Sequence, residues 1–356
     1  MRSKIAVLLP FLLSGCLTMA LPAHETEKEM DSKIETETGQ AGETNYLVLV
    51  NRLHSLPEGW EENLDTVMTT NSLGDDVEAE RNTYNAYLRL KEDLEKNCGI
   101  YLELDNGYRS VATQQEIMDD FTKRYGADYA AKTVAPPGCS EHHTGLALDL
   151  YFRIKAEDGS YTDVYYNEDM TKDEYLELWE TVHAKLADYG FILRLPEGRE
   201  HITGYGYEPW HIRYVNDVDL AKKITAEDIT LEEYLGGYRA PAVTIDYGSS
   251  DLYSPEERKE AAIQIKCSFA AWDGCELHSL RYAGDEACNE KNIAWLNSQN
   301  DGARYTEIAE FLCDFHTGSN TFDTLKPDTE YTNYQWWLAK NEEDGWDIVA
   351  RGCDSD

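Results

Sequence analysis

Two short segments of the sequence hold the residue types most able to do chemistry together. The first reads Ser140-Glu141-His142-His143-Thr144-Gly145-Leu146-Ala147-Leu148-Asp149 and the second Tyr205-Gly206-Tyr207-Glu208-Pro209-Trp210-His211. Small residues between the candidate ligands allow close backbone approach. A catalytic zinc needs three protein ligands of N/O type and one open position for water, and His142, Asp149 and His211 would supply the three. Zinc lowers the pKa of a bound water from about 15.7 to about 7. Glu208, three residues before His211, would reach that water as a general base from a strand or turn without ligating the metal. Taken singly, each residue has a commonplace explanation. A lone His is usually a surface or core residue, and an Asp after an apolar run is usually a cap or turn. The weight falls on the joint pattern, S-x-H-x-x-G-x-A-x-D followed by E-P-W-H, which is long and specific.

These segments resemble the zinc D-Ala-D-Ala carboxypeptidase family, in its VanY-type branch. Further pieces match in order: Leu49-Val50-Asn51 and Leu56-Pro57, then Gly107-Tyr108-Arg109-Ser110 with Gln114, then Ile202-Thr203-Gly204-Tyr205 leading into Glu208-Pro209-Trp210-His211. The resemblance covers about residues 46–236. It implies a hedgehog/D-Ala-D-Ala peptidase-like α+β fold and one zinc on His142, Asp149 and His211. It further implies Glu208 as catalytic base, and Arg109, Gln114 and Ser140 in the substrate pocket. The activity it implies is removal of the terminal D-Ala from peptidoglycan stem peptides. The alternatives are an L,D-carboxypeptidase acting on tetrapeptide stems and, in a different class, a wall-binding lipoprotein without catalysis. Two departures stand out: His143 occupies a position where Gln is expected, and Cys139 precedes Ser140. His201 is expected to be structural rather than to line the cleft.

Arg109 has a physical role apart from the resemblance. A peptide substrate that ends in a carboxylate needs a cation, and Arg offers either two parallel hydrogen bonds to that carboxylate or stabilisation of a developing oxyanion. The hydroxyl of Ser140 could equally be needed by the local turn.

The elements that must position these residues are mixed. A helix is expected over about 75–97, with Gly99 at its end, and Ile100, Leu102 and Leu104 alternate as on a strand. A second helix carries Ile117, Phe121 and Tyr125 up to Gly126. Phe191-Ile192-Leu193 and Trp210 to Tyr214 read as strands. Helices and short strands without a regular βαβ repeat indicate an α+β fold. Residues 237–252, rich in Gly, Ser and Pro, read as a linker crossed by few contacts. Residues 253–356 read as a smaller α+β accessory domain, opened by Ser254-Pro255-Glu256-Glu257 as a capped helix start. Trp336, Trp337 and Trp346 there are expected to be core rather than a ligand platform.

Charge and composition exclude several classes. Lys and Arg total 32 against 68 Asp and Glu, a net charge of −36, so a nucleic-acid partner is not expected. At the N-terminus, Arg2 and Lys4 precede the apolar stretch Ile5 to Leu13, followed by Leu13-Ser14-Gly15-Cys16, which resembles a bacterial lipobox. Residues 1–15 are therefore expected to be a signal peptide and Cys16 the lipidated mature N-terminus; plain secretion is the alternative. Losing Arg2 and Lys4 makes the balance two charges more negative, −38. Residues 16–45 are acidic and poor in large apolar side chains, as in a disordered tether. The expected location is the outer face of the cytoplasmic membrane, with membrane contact only through the lipid, and a monomer is expected. Seven cysteines remain after Cys16, five of them beyond residue 260, which suggests a disulfide-stapled second domain.

Overall fold

The computed structural model describes residues 44–126, 130, 134–165, 170–300, 304–319, 325–341 and 345–352. The expected signal peptide, Cys16 and the tether as far as residue 43 lie outside these residues.

The chain enters through Val48, Leu49 and Val50, which are buried but belong to no strand. A hairpin of β1 (Thr66–Thr70) and β2 (Asp76–Glu80) follows, and α1 (Arg81–Asp93) begins only there. The helix expected from residue 75 therefore starts later than its apolar stripe suggests. Val77 and Ala79 are buried at the two-residue period of a strand paired with β1, and Glu80 caps α1 by accepting from the Thr83 N–H. A π-turn over Leu94–Cys98 ends at Gly99, which is left-handed as expected.

The first unit then lays down β3 (Tyr101–Asn106), α2 (Val111–Tyr125), β4 (Ala147–Lys155), β5 (Tyr161–Val164), α3 (Asp173–Leu186), β6 (Phe191–Leu193), the short α4 (Glu200–Thr203), β7 (His211–Tyr214), α5 (Val218–Glu227) and α6 (Leu231–Gly236). Its strands pair antiparallel in the order β3-β4-β7-β6, with β5 on β4. One face of this sheet carries Leu102, Leu104, Leu148, Leu150, Phe152 and Ile212, and α1 and α3 cover it with Tyr87, Leu90, Trp179 and Val182. Side chains alternate between the faces of a strand, so Asp149 and His211, directly paired across β4 and β7, point away from that core.

The second unit begins earlier than the sequence suggests. Thr244–Asp246, inside the expected linker, forms β8 and pairs parallel to β9 (Cys275–Tyr282). Between them runs α7 (Pro255–Phe269), opened by a complete capping box at Ser254 and Glu257. After α8 (Glu290–Gln299) come β10 (Ile308–Thr317), β11 (Thr329–Lys340) and β12 (Trp346–Gly352), giving the order β12-β11-β10-β9-β8. Trp336, Trp337 and Trp346 are buried in this unit's apolar clusters, as expected of core. Cys98, Cys139, Cys267 and Cys288 are free thiols, so the expected staple does not form at Cys267 or Cys288. The aromatic core does that work, with Trp272 between Phe269, Phe315 and Trp336.

The expectation of few contacts between the units is also revised. Helix α7 packs on α4, and the Lys266 ammonium meets the Glu200 carboxylate at 2.6 Å with both side chains buried.

Candidate active site

The first ligand segment is a 3-10 turn, Glu141–Thr144, that stops at Gly145 in a left-handed conformation, φ +70°. A Cβ at Gly145 would lie 3.0 Å from Leu64 and 3.2 Å from the Glu80 backbone. Glycine is therefore required both by the dihedral and by the hairpin lying against it. Gly107 is required by space alone, since a Cβ there would collide with the Glu78 carbonyl oxygen. This close approach lets the Gly107 carbonyl reach the His142 ring.

His142 donates from Nδ1 to that carbonyl at 2.8 Å and turns Nε2 toward Asp149 Oδ2, 3.1 Å away. His211 is mirrored. Its Nε2 is held by Glu141 Oε2 at 3.2 Å, and its Nδ1 faces Asp149 Oδ1 at 2.8 Å. The two rings meet edge to face, and donor atoms of His142, Asp149 and His211 all lie within 4.8 Å of one another. An imidazole that ligates a metal through one nitrogen characteristically gives the other to a carbonyl or carboxylate. Both histidines do so here. The donor set, two imidazole nitrogens and a carboxylate, fits zinc, and His142 Nε2, Asp149 and His211 Nδ1 are the atoms that would hold it.

The electrostatics follow from burial and neighbours. Burial alone would raise Asp149, but the imidazoles of His142 and His211 hold its carboxyl well below the usual range. Burial alone would lower His211, but Asp149 and Glu141 push it up to about 10 in the metal-free protein. Glu208 has Oε2 3.8 Å from His211 Nδ1 and keeps about a third of its side chain open, 34%. Crowding by protein pushes it up to about 7, with Asp149 adding to the rise and His211 and Arg109 opposing it. The Glu208-to-His211 turn is fixed from below, where His183 Nε2 donates to the Pro209 carbonyl at 2.9 Å.

The remaining sequence candidates separate in role. Arg109 lies beside the ligand turn, where its backbone N–H donates to the His142 carbonyl at 3.1 Å, and Asp149, Asp105 and Glu208 act on its guanidinium. Gln114, expected in the substrate pocket, is buried beside Arg109. Its Oε1 accepts from Arg109 Nη1 at 3.0 Å and its Nε2 donates to the Ala135 carbonyl at 2.8 Å. With both ends of the amide engaged, it orients the guanidinium. Ser140 is buried beside the turn, and its hydroxyl does not cap it. His143 does not join the metal donors. Its Nδ1 donates to the Arg109 carbonyl at 2.6 Å and its Nε2 accepts from the Gly138 N–H at 3.1 Å. His201 sits on α4 outside the converging donors, and burial lowers it to about 4.

The sequence reading missed the charged layer beneath the ligands. Glu141 Oε1 accepts from Arg194 Nε at 2.8 Å and from Arg213 Nη1 at 2.5 Å, while its Oε2 holds His211. Arg194 also pairs with Glu232 at 2.7 and 3.0 Å, and Asn51 donates to Glu232. Burial by itself would raise Glu141, but Arg194 and Arg213 hold it well below the carboxylate range. Arg213 also donates to the Tyr46 and Val48 carbonyls, which gives the Leu49-Val50-Asn51 segment a place against the site. The available signal was Arg213 standing two residues after His211, on the same face of β7.

Residues 76–217 match the family model described as VanY, D-alanyl-D-alanine carboxypeptidase. A bifunctional D-Ala-D-Ala dipeptidase and D-Ala-D-Ala carboxypeptidase, VanXYC of Enterococcus gallinarum, is 38% identical over 133 residues, covering 37% of this chain and 65% of that protein, just under two thirds of its length. A D-alanyl-D-alanine carboxypeptidase of Enterococcus faecalis is 31% identical over 219 residues, covering 59% of this chain and 73% of that protein. Among solved structures, the LdcB LD-carboxypeptidase is 33% identical with a TM-score of 0.45, over 55% of this chain and 88% of that one. Through the sequence likeness of its first unit, the chain belongs to the VanY D-alanyl-D-alanine carboxypeptidase family.

Proposed function

We propose that this protein is a zinc-dependent carboxypeptidase that removes the terminal D-alanine from peptidoglycan stem peptides outside the cytoplasmic membrane. The observation that carries the reading is the convergence of His142, Asp149 and His211 with Glu208 at their edge. Zinc on those three donors supplies Lewis acidity toward the scissile carbonyl and a water acidified toward pKa 7. Glu208 takes the proton of the attacking water and returns it to the leaving amine. Arg109, aimed by Gln114, supplies the cation for the peptide carboxylate or for the carbonyl oxygen as it gains charge. A protein of net charge −36 needs such a local cation, because its own field repels an anionic peptide beyond the ~8 Å screening length only weakly but within the pocket strongly. Ser140, with its hydroxyl not used as a cap, is assigned to the substrate side of the turn.

The test is incubation of the zinc-loaded protein with defined penta- and tetrapeptide stems and mass spectrometry of the products. Loss of one alanine from the pentapeptide is the expected result. Cleavage of the tetrapeptide alone would reassign the specificity to L,D-bonds, and no cleavage of either would leave a binding protein. Chelation should abolish the hydrolysis and added zinc restore it; full activity in protein shown by elemental analysis to be metal-free would overturn the mechanism.

We place the enzyme on the outer membrane face through a lipid on Cys16, on the strength of the charged, apolar and Leu13-Ser14-Gly15-Cys16 succession. Cys16→Ala removes the thiol and should move the protein from the detergent to the aqueous phase on partitioning. A wild-type protein already in the aqueous phase would make it secreted instead.

A further inference from the structure

Helix α7 presents two faces. Ala261, Ala262, Ile265 and Phe269 enter the core of the second unit. Lys259, Ile263, Lys266, Cys267 and Ala270, spaced 4, 3, 1 and 3 along the helix and its C-cap, form a second stripe at helical period. Every member of this stripe meets or faces the first unit between Glu197 and Glu208. Lys259 pairs with Glu197 at 2.6 Å across exposed surface. Lys266 pairs with Glu200 at 2.6 Å in the buried centre, where the two side chains are 3% and 2% exposed. The Ala270 Cβ would lie 3.6 Å from a Cβ at Gly204, and Ile263 Cγ2 4.0 Å from one at Gly206. Cys267, its thiol pushed up to about 12 by burial, lies close enough to feel Glu200, Arg52 and Glu208.

The segment gripped in this way carries Glu208. From Glu200 the chain runs through the single turn of α4, where the Gly204 N–H returns to the Glu200 carbonyl at 2.9 Å. It then passes Tyr205, whose hydroxyl donates to the Cys139 carbonyl and whose ring lies under Arg52. Glu208 follows, its N–H donating to the Leu195 carbonyl. A four-residue helix and a Gly-Tyr-Gly turn have little cohesion of their own, so their position depends on what they pack against. A buried Lys–Glu pair holds such a position well. Removing one partner strands the other charge in the interior, whereas replacing both with neutral side chains of like size is tolerated.

We propose that the second unit is a positioning element for hydrolysis: the Lys266–Glu200 pair on α7 and α4 fixes the segment that carries Glu208. Lys266 is thus a positioning residue. Its ammonium pairs with Glu200 and is not among the groups that converge on the metal site, so it acts through the Glu200–Glu208 segment. This rests on the reading of Glu208 as the base, but the geometry of the segment can be measured without that reading.

The test uses the full-length, zinc-loaded protein. In Lys266→Met the buried Glu200 carboxylate loses its cation and keeps the Gly198 N–H. Hydrogen exchange of the Gly204 and Glu208 amides should accelerate at least ~10-fold, and kcat on a pentapeptide stem should fall by a similar factor, with KM and zinc stoichiometry within about threefold of wild type. The double variant Lys266→Met, Glu200→Gln removes the stranded charge and should restore both exchange and kcat. It also guards against a single variant that folds poorly. Wild-type exchange at Gly204 and Glu208 in folded Lys266→Met overturns the proposal, as does a loss of melting temperature with kcat and exchange unchanged. An inactive wild type, or a fully active Glu208→Ala, would instead overturn the assignment of the base, and the exchange measurement would still decide whether Lys266 holds the segment.

Discussion

Glu208→Ala is expected to keep its zinc and to lose at least ~10²-fold in turnover, the lower end of what a positioned acid–base group contributes. The metal should stay because Glu208 is not one of the three converging donors. His142 and His211 also keep their outer contacts to Gly107 and Glu141. The rate should fall because Glu208 is the carboxyl at the donors' edge, 3.8 Å from His211 Nδ1 and placed to take the proton of the attacking water. Zinc content by elemental analysis and kcat on a pentapeptide stem are the two measurements. Near-wild-type turnover with zinc retained would mean that another group moves the proton.

The second large effect lies beneath the site and should appear first as stability. Glu141→Gln preserves shape but removes the carboxylate that two buried guanidiniums share. Arg194 keeps Glu232, whereas Arg213 is left with no carboxylate and only the Tyr46, Val48 and Tyr214 carbonyls as acceptors. Breaking a buried pair by removing one partner costs about 3–5 kcal/mol, so the urea midpoint should drop sharply. His211 also loses the acceptor for its outer nitrogen, and weakening such a contact typically costs about 10–100-fold in metal affinity. Unfolding curves at fixed zinc and zinc titrations of the variant test both parts; a midpoint within error of wild type would refute them. The pH dependence has a definite sign. Glu141 is held well below the ordinary value in the folded protein. Its contribution is therefore complete above the unfolded carboxyl pKa of about 4.3 and is lost as pH falls from there toward the folded value. Wild type should lose stability on acidification through this range more steeply than Glu141→Gln.

The parts of the site legible in the sequence were those where residue type and chemistry coincide. His142, Asp149 and His211 are metal-ligand types in a long pattern, and Glu208 sits at a short fixed offset from His211. What escaped were residues whose types are ambiguous without burial. Glu141, Arg194, Arg213 and Glu232 read as ordinary surface charges in a chain so rich in acids, and only the fold shows them neutralising one another. Gln114 was singled out five residues after Arg109, but its hydrogen bond to the guanidinium was not legible, because spacing gives proximity and not direction. In the fold, the apolar stripe from Val77 to Leu94 concealed a change of period, from two residues in β2 to helical spacing in α1. Glycine and proline content made 237–252 look free, but a backbone with few side-chain signals still pairs well with a neighbouring strand. The mixed stripe Lys259, Ile263, Lys266 and Cys267 reads as a solvated face because half of it is charged. The partner that neutralises Lys266, Glu200, lies 66 residues away.

The pairing of β4 with β7 sets Leu148 opposite Ile212 and Asp149 opposite His211. One face of this two-strand ladder is fully buried oil, and the other holds the ligands. Because the faces alternate residue by residue, sliding either strand by one position would bring polar ligands into the apolar core and turn Leu148 and Ile212 outward. Misaligned ligands and a ruined core are thus the same error. Mutational drift that preserves the packing of Leu148, Leu150 and Ile212 also preserves the alignment of Asp149 with His211, and purifying selection on stability protects the catalytic geometry even during periods when the activity itself is not under test.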